Sequence, residues 1–289
     1  MGSMMVESLI ILILTGLACS GIGCFLILRG DAMLADALSH SILLGVVLAY
    51  LWVGQLDGFW LKTGASIMGL IVVLVVEQLG QRHALHHQQA IGLVYPLFFA
   101  LAIVLISIYG RNIHLDMDAV LLGQVVLSPL NRITVFGHSL PRAYLDMGGC
   151  FLVNSVFMMV FFKELKVSSF DSTWSQLAGF LSPFLFYGLM TLTAVTTVAS
   201  FDVVGAILVI SFLIAPGASA YLVVKKLKQM LLLASGIAIF NACLGYFLGI
   251  YWNVSLAGMT AFIGGITFCL IYLVKQWQAR QLVKKRNNE

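Results

Sequence analysis

An aspartate and a histidine, Asp36 and His40, lie four residues apart just before a long apolar run. On a helix this spacing is about one turn, so the two side chains would share a face. Carboxylate oxygen and imidazole nitrogen are ligands for divalent transition metals, and ionisable groups in an apolar span are costly unless they have a function. The pair therefore predicts half of a metal coordination sphere, completed by a second helix or by water. The alternative is an Asp–His pair that only connects helices.

The composition around this pair is that of a membrane protein. Of 289 residues, 61% are hydrophobic and 10% are charged, against about 25% charged in an ordinary soluble domain. Several uncharged runs reach the roughly 20 residues that a spanning helix needs. We predict an all-α polytopic membrane protein with about 8–9 transmembrane helices. The nine predicted spans are about 8–28, 35–53, 63–80, 90–110, 145–162, 182–199, 203–223, 230–250 and 255–274.

A single transmembrane domain is predicted to cover residues 1–289. Residues 1–7 are interpreted as an N-terminal tag remnant and the outer end of the first span, and 275–289 as a basic cytoplasmic tail. When the spans alternate in direction, most of the 16 Lys and Arg residues fall on one side of the membrane. The positive side is predicted to be cytoplasmic, which places the C-terminus inside. The exceptions are Lys62, Arg111, Arg132 and Arg142.

Two further groups of polar residues are weaker metal candidates. In the predicted outer loop, His114, Asp116 and Asp118 would form an anionic mouth that attracts cations. The alternative is a solvated loop in which Asp118 caps a helix. A histidine cluster in a predicted cytoplasmic loop would retain metal or simply be hydrated; its members are His83, His86 and His87.

Four other features concern structure more than chemistry. The apolar segment 119–131 is too short to cross a membrane and is predicted to be an interfacial or re-entrant helix. Asp202, between two predicted spans, is predicted to cap the second. Pro216 and Gly217 predict a kink that would be a gate hinge or only shape. The five cysteines all lie in apolar runs without a CxxC pair and are predicted to pack in the interior.

Four stretches resemble, in order, the membrane permeases of ABC transporters for manganese, zinc and iron, the ABC-3 family. "GDAMLADALSHSILLGVVLAY" (30–50) resembles the family signature, and "HLDMDAVLLGQ" (114–124) resembles its outer loop. "FFKELKVSSFDSTWSQLAG" (161–179) resembles its cytoplasmic loop, and "VGAILVISFLIAPGASAYLV" (204–223) its late gate helix. The resemblance implies the fold of an ABC metal importer permease, with Asp36 and His40 in metal passage.

The resemblance also implies cargo and partners. The cargo would be Mn²⁺, with Zn²⁺ or Fe²⁺ as the other possibilities, and no cofactor besides the transported ion is expected. A pair of cytoplasmic ATP-binding subunits would dock on the 164–180 loop through Phe170, Asp171, Trp174, Ala178 and Gly179. The alternative for this segment is an interfacial helix that lies on lipid headgroups. An extracytoplasmic metal-binding lipoprotein would deliver the ion. A second permease copy, identical or a paralogue, would complete the pathway in the lipid of a bacterial cell membrane, and no nucleic acid is expected.

Catalytic motifs are missing from the sequence. It contains no GxxxxGK[ST], no HExxH and no GxSxG. We therefore predict a transport subunit, not an enzyme, with ATP hydrolysis on a separate subunit. One alternative is a proton-coupled secondary metal transporter, which would need more intramembrane carboxylates than Asp36. The other is an intramembrane metal enzyme, which would need a third fixed ligand and a general base.

Overall fold

The computed structural model describes residues 2–54, 58–81, 87–109, 123, 125–135, 138–170, 174 and 182–286. Within these residues the chain forms α-helices and one short β-hairpin. The helices are α1 (Gly2–Arg29), α2 (Ala32–Val53), α3 (Gly58–Gln81), α4 (His87–Tyr109), α5 (Arg142–Val160), α6 (Phe162–Phe170), α7 (Ser182–Val204), α8 (Ala206–Val223), α9 (Leu227–Tyr251) and α10 (Leu256–Arg286).

Nine of the described helices, all but the short α6, are long and apolar enough to cross a membrane. They match the nine predicted spans in number and order, which confirms the prediction of an all-α polytopic fold. The boundary predicted between the last two spans, 230–250 and 255–274, is also confirmed, since α9 ends at Tyr251 and α10 begins at Leu256. Between these two helices Asn253 has a positive φ of 53°.

The hairpin was not expected from the sequence. Strand β1 (Arg132–Val135) pairs antiparallel with β2 (His138–Pro141), and Arg132 lies opposite Pro141. We call the end of the bundle that carries this hairpin the hairpin end, and the opposite end, where α1 finishes at Arg29, the basic end. In the described part of segment 119–131, a turn and the 3-10 helix Ser128–Leu130 stand where a longer helix was predicted.

Helix α1 is the centre of the bundle. Its candidate span is 72% buried, against 17% for that of α4. Glycine permits the closest approach: a Cβ at Gly23 would overlap the carbonyl oxygen of Leu213 on α8, and one at Gly217 would lie 2.7 Å from Ile27. Close backbone contact through small residues is how helices pack in lipid, where the hydrophobic effect does not hold them together.

A buried amide also connects three helices. Asn154 on α5 is 1% exposed, and its Nδ2 donates to the carbonyl of Ala18 on α1 at 3.1 Å and to Thr196 Oγ1 on α7 at 2.9 Å. Polar groups in the apolar interior must find partners inside the protein. These two hydrogen bonds fix α5 and α7 against the central helix.

The contact between α1 and α8 gives a stability prediction. We expect Gly23→Ala to lower the free energy of unfolding by about 1–3 kcal/mol, because the new methyl group overlaps backbone. Gly236→Ala, where a Cβ meets nothing within 4 Å, is the control and should be neutral or stabilising by up to about 1 kcal/mol. Thermal unfolding in detergent measures both; equal midpoints would contradict the close contact.

Candidate functional site

The Asp36–His40 pair lies in the first half of α2. The chain turns between α1 and α2 at Gly30, whose φ of 79° suits glycine, and Asp31 occupies the N-cap position of α2. Asp36 Oδ1 and His40 Nε2 are 3.4 Å apart. The predicted shared face is therefore confirmed by the geometry, and the contact between the two side chains lies within one helix.

The pair is open on a helix whose neighbouring residues are buried. The side chains of His40 and Asp36 are 33% and 37% exposed, whereas Ala35, Ala37 and Ser39 on the same helix are at most 1% exposed. A pair that only stabilised packing would be enclosed like these neighbours. Its partial exposure leaves both groups accessible to a ligand.

Two aromatic rings of α4 bracket the imidazole. The ring centroid of Tyr95 lies 6.0 Å from that of His40 in a stacked arrangement, and that of Phe99 lies 5.5 Å away, edge-on. These contacts limit the rotation of the imidazole and cover its sides. Neither residue was predicted from the sequence, because the pattern of an apolar run does not distinguish an aromatic residue that faces lipid from one that faces a site.

The spacing of the two donor atoms fits a shared metal ion. With metal–ligand bonds of about 2.1 Å, adjacent ligand atoms are separated by about 3.0 Å in octahedral and about 3.4 Å in tetrahedral coordination. The observed separation is 3.4 Å, the tetrahedral value, and octahedral coordination would need the two atoms to approach by about 0.4 Å through side-chain rotation. Across the described residues, three or more His, Cys, Asp or Glu side chains nowhere meet in a group that could hold a metal ion. Among the described residues, Asp36 and His40 are therefore a pair of candidate side-chain ligands without a third.

An ion cluster lies at the hairpin end. Lys62 Nζ on α3 is 2.7 Å from Asp146 Oδ2 on α5 and 3.1 Å from Asp202 Oδ2 on α7. Arg142 approaches the same Asp146 oxygen at 3.9 Å. The prediction that Asp202 caps a helix is wrong: it lies in the last turn of α7, and Gly205 occupies the N-cap position of α8.

A second charged group lies at the basic end, where α2 begins. Arg29 lies 5.4 Å from the ring of Phe186 on α7 and interacts electrostatically with Asp31 and Glu77. Asp31 is only 8% exposed, and the nearby basic side chain offsets part of the cost of burying its carboxylate. These interactions fix the start of the helix that carries Asp36.

The other predicted site residues divide into two groups. Phe170 ends α6 and is 64% exposed, as is Trp174, so both are available to a partner. Pro216 and Gly217 are buried inside α8, and their role as a hinge stays a prediction. The remaining candidates lie outside the described residues, except that His87 begins α4; they are His83, His86, His114, Asp116, Asp118, Asp171, Ala178 and Gly179.

Comparisons with known proteins identify related membrane proteins. The model of the ABC 3 transport family matches residues 1–276. The manganese transport system membrane protein MntD of Bacillus subtilis is 39% identical over 90% of this chain and 88% of its own length. The zinc transport system membrane protein TroD of Treponema pallidum is 40% identical over 93% of this chain and 74% of its own.

A solved structure is also similar. PsaBC from Streptococcus pneumoniae, determined in complex with Fab, superposes with a TM-score of 0.74 at 28% identity, covering 92% of this chain and 90% of the matched one. The helical bundle described above is therefore a known membrane-protein architecture.

The ion cluster at the hairpin end gives a second stability prediction. We expect Lys62→Gln to lower the free energy of unfolding by about 1–2 kcal/mol, because it leaves two carboxylates facing each other without their shared cation. Lys225→Gln, at an exposed position between α8 and α9, is the control. Should both variants unfold at the same temperature in detergent, the cluster contributes nothing to stability.

Proposed function

The chain belongs to the ABC 3 transport family, and from that premise we propose that it is the membrane permease subunit of an ATP-driven importer of a divalent transition metal ion. Relatives named for manganese and for zinc are about equally similar. Further relatives named for manganese make Mn²⁺ the proposed main cargo. This function is favoured over a proton-coupled transporter or an intramembrane metal enzyme.

The observation that carries the proposal is the open Asp36–His40 pair inside a predicted span. A divalent cation that enters an apolar region must exchange its water for protein ligands. The carboxylate of Asp36 would supply charge and oxygen, and the neutral imidazole of His40 would supply nitrogen. Two such ligands per chain hold the ion weakly enough to let it leave, which conduction requires.

A second copy of the chain, or a close paralogue, would supply the rest of the site. Two pairs facing one another would provide two carboxylates and two imidazoles around one pathway. The partial exposure of both side chains in the single chain supports this arrangement, because a complete intramolecular site would enclose them. Closed symmetric pairing is the commonest form of assembly.

Energy would come from partner subunits, because the sequence has no phosphate-binding motif. The proposed docking surface for a pair of cytoplasmic ATP-binding subunits is the segment at Phe170 and Trp174, both exposed. The hairpin end would then face outward and receive the ion from a metal-binding lipoprotein. The C-terminus, beyond α10, would be cytoplasmic.

Substitution of either proposed ligand tests the site. We expect Asp36→Asn and His40→Ala each to reduce Mn²⁺ uptake by cells at least about tenfold, the scale on which metal sites lose affinity. Leu48→Ala, at an exposed apolar position of the same helix, is the control and should transport normally. Full uptake by both ligand variants, with membrane insertion verified, would refute the assignment.

The docking surface has its own test. Phe170→Asp combined with Trp174→Asp should abolish co-purification of the ATP-binding subunit, because charge replaces the apolar anchors. Trp277→Asp is the matched control, since Trp277 is similarly exposed at 63% but lies on α10. Retention of the ATP-binding subunit at the wild-type ratio by the double variant would mean that docking occurs elsewhere.

A further inference from the structure

Helix α4 passes directly beside the metal pair. Tyr95 and Phe99, one turn apart on α4, both contact the ring of His40 on α2. Both α2 and α4 run from the basic end toward the hairpin end. The contacts of Tyr95 and Phe99 with His40 therefore show which turns of the two helices lie side by side. One turn toward the basic end from His40 is Asp36, and the matching turn of α4 contains Gly92.

A proline interrupts α4 at this level. Pro96 lies inside the helix, between the two aromatic residues. Proline has no backbone N–H, so the carbonyl oxygen of Gly92, four residues earlier, lacks the donor that a regular α-helix supplies. Within a membrane such a carbonyl must find another partner, and in transporters interrupted helices offer their carbonyls to cations.

The space beside Gly92 is open. A Cβ placed there would meet nothing within 4 Å, and both Gly92 and Pro96 are exposed. By helical periodicity Gly92 shares a face with Tyr95 and Phe99, which contact the site. Backbone carbonyls point toward the C-terminal end of a helix, so the carbonyl of Gly92 is directed along α4 toward Pro96.

We propose that the backbone carbonyl oxygen of Gly92 is a third ligand for the transported cation, beside Asp36 and His40, while Tyr95 and Phe99 hold the imidazole in position. The inference rests on the proposed function. It also gives that function a basis for selectivity. An added neutral oxygen raises the coordination number, which suits a hard six-coordinate ion such as Mn²⁺ better than Zn²⁺, which favours four ligands.

The test restores the missing donor. Pro96→Ala supplies an N–H that the Gly92 carbonyl would accept, and the oxygen would then bind the cation less well. In cells that make the whole importer, we expect the KM for Mn²⁺ uptake to rise roughly tenfold and the preference for Mn²⁺ over Zn²⁺ to fall. The control is Leu97→Ala, which shortens the side chain at the next position, where Leu97 is 65% exposed. It should leave the KM and the ion preference unchanged. A purely structural change would lower uptake of both ions alike.

A second variant keeps the proposal testable if Pro96→Ala does not fold. Pro96→Gly also restores the N–H but lets the backbone keep a bend, and it should show the same rise in KM. If a folded Pro96 variant keeps the wild-type KM and the wild-type ion preference, the carbonyl is not a ligand. His40→Ala, measured in parallel, distinguishes failure of the Gly92 proposal from failure of the proposed function. Normal uptake by His40→Ala refutes the metal site itself.

Discussion

The structure depends on one constraint, the cost of taking a charged group out of water. A divalent cation can cross an apolar layer only where protein ligands replace its hydration shell, and those ligands must themselves be tolerated there. In the proposed function the chain meets this constraint with one carboxylate and one imidazole, which lie a turn apart on α2 and 3.4 Å from each other. At the hairpin end, Lys62 pairs with the carboxylates of Asp146 and Asp202.

The bundle separates a rigid side from an open side. Around α1, glycine contacts with α8 and the buried amide of Asn154 leave little freedom. On the side of α4 burial is lower, at 17% of its span against 72% for that of α1, and the rings of Tyr95 and Phe99 cover the imidazole. A transporter needs both properties: a fixed scaffold that positions the ligands, and a face where an ion can arrive and leave.

The sequence predicted the features that are local. Each span is a long apolar run, and the Asp36–His40 pair is one turn of one helix, so length and spacing were sufficient. Features that join distant segments were not predicted. The Lys62 cluster brings together residues from three helices, and Asp202 was assigned to a cap because only its local position was visible. The hairpin was missed because strands of four residues carry too short a pattern. Tyr95 and Pro96 could be related to the candidate site only after the structure had placed α4 beside α2.

Pulsed EPR of Mn²⁺ bound to the chain in lipid nanodiscs tests the central claim most directly, because it detects nitrogen ligands without any need for transport. Our account predicts modulation from an imidazole nitrogen in the wild-type protein and its loss in His40→Gln, with the fold retained. Nitrogen modulation that persists in His40→Gln, or bound Mn²⁺ surrounded by oxygen alone in the wild type, would contradict a cation site at this pair.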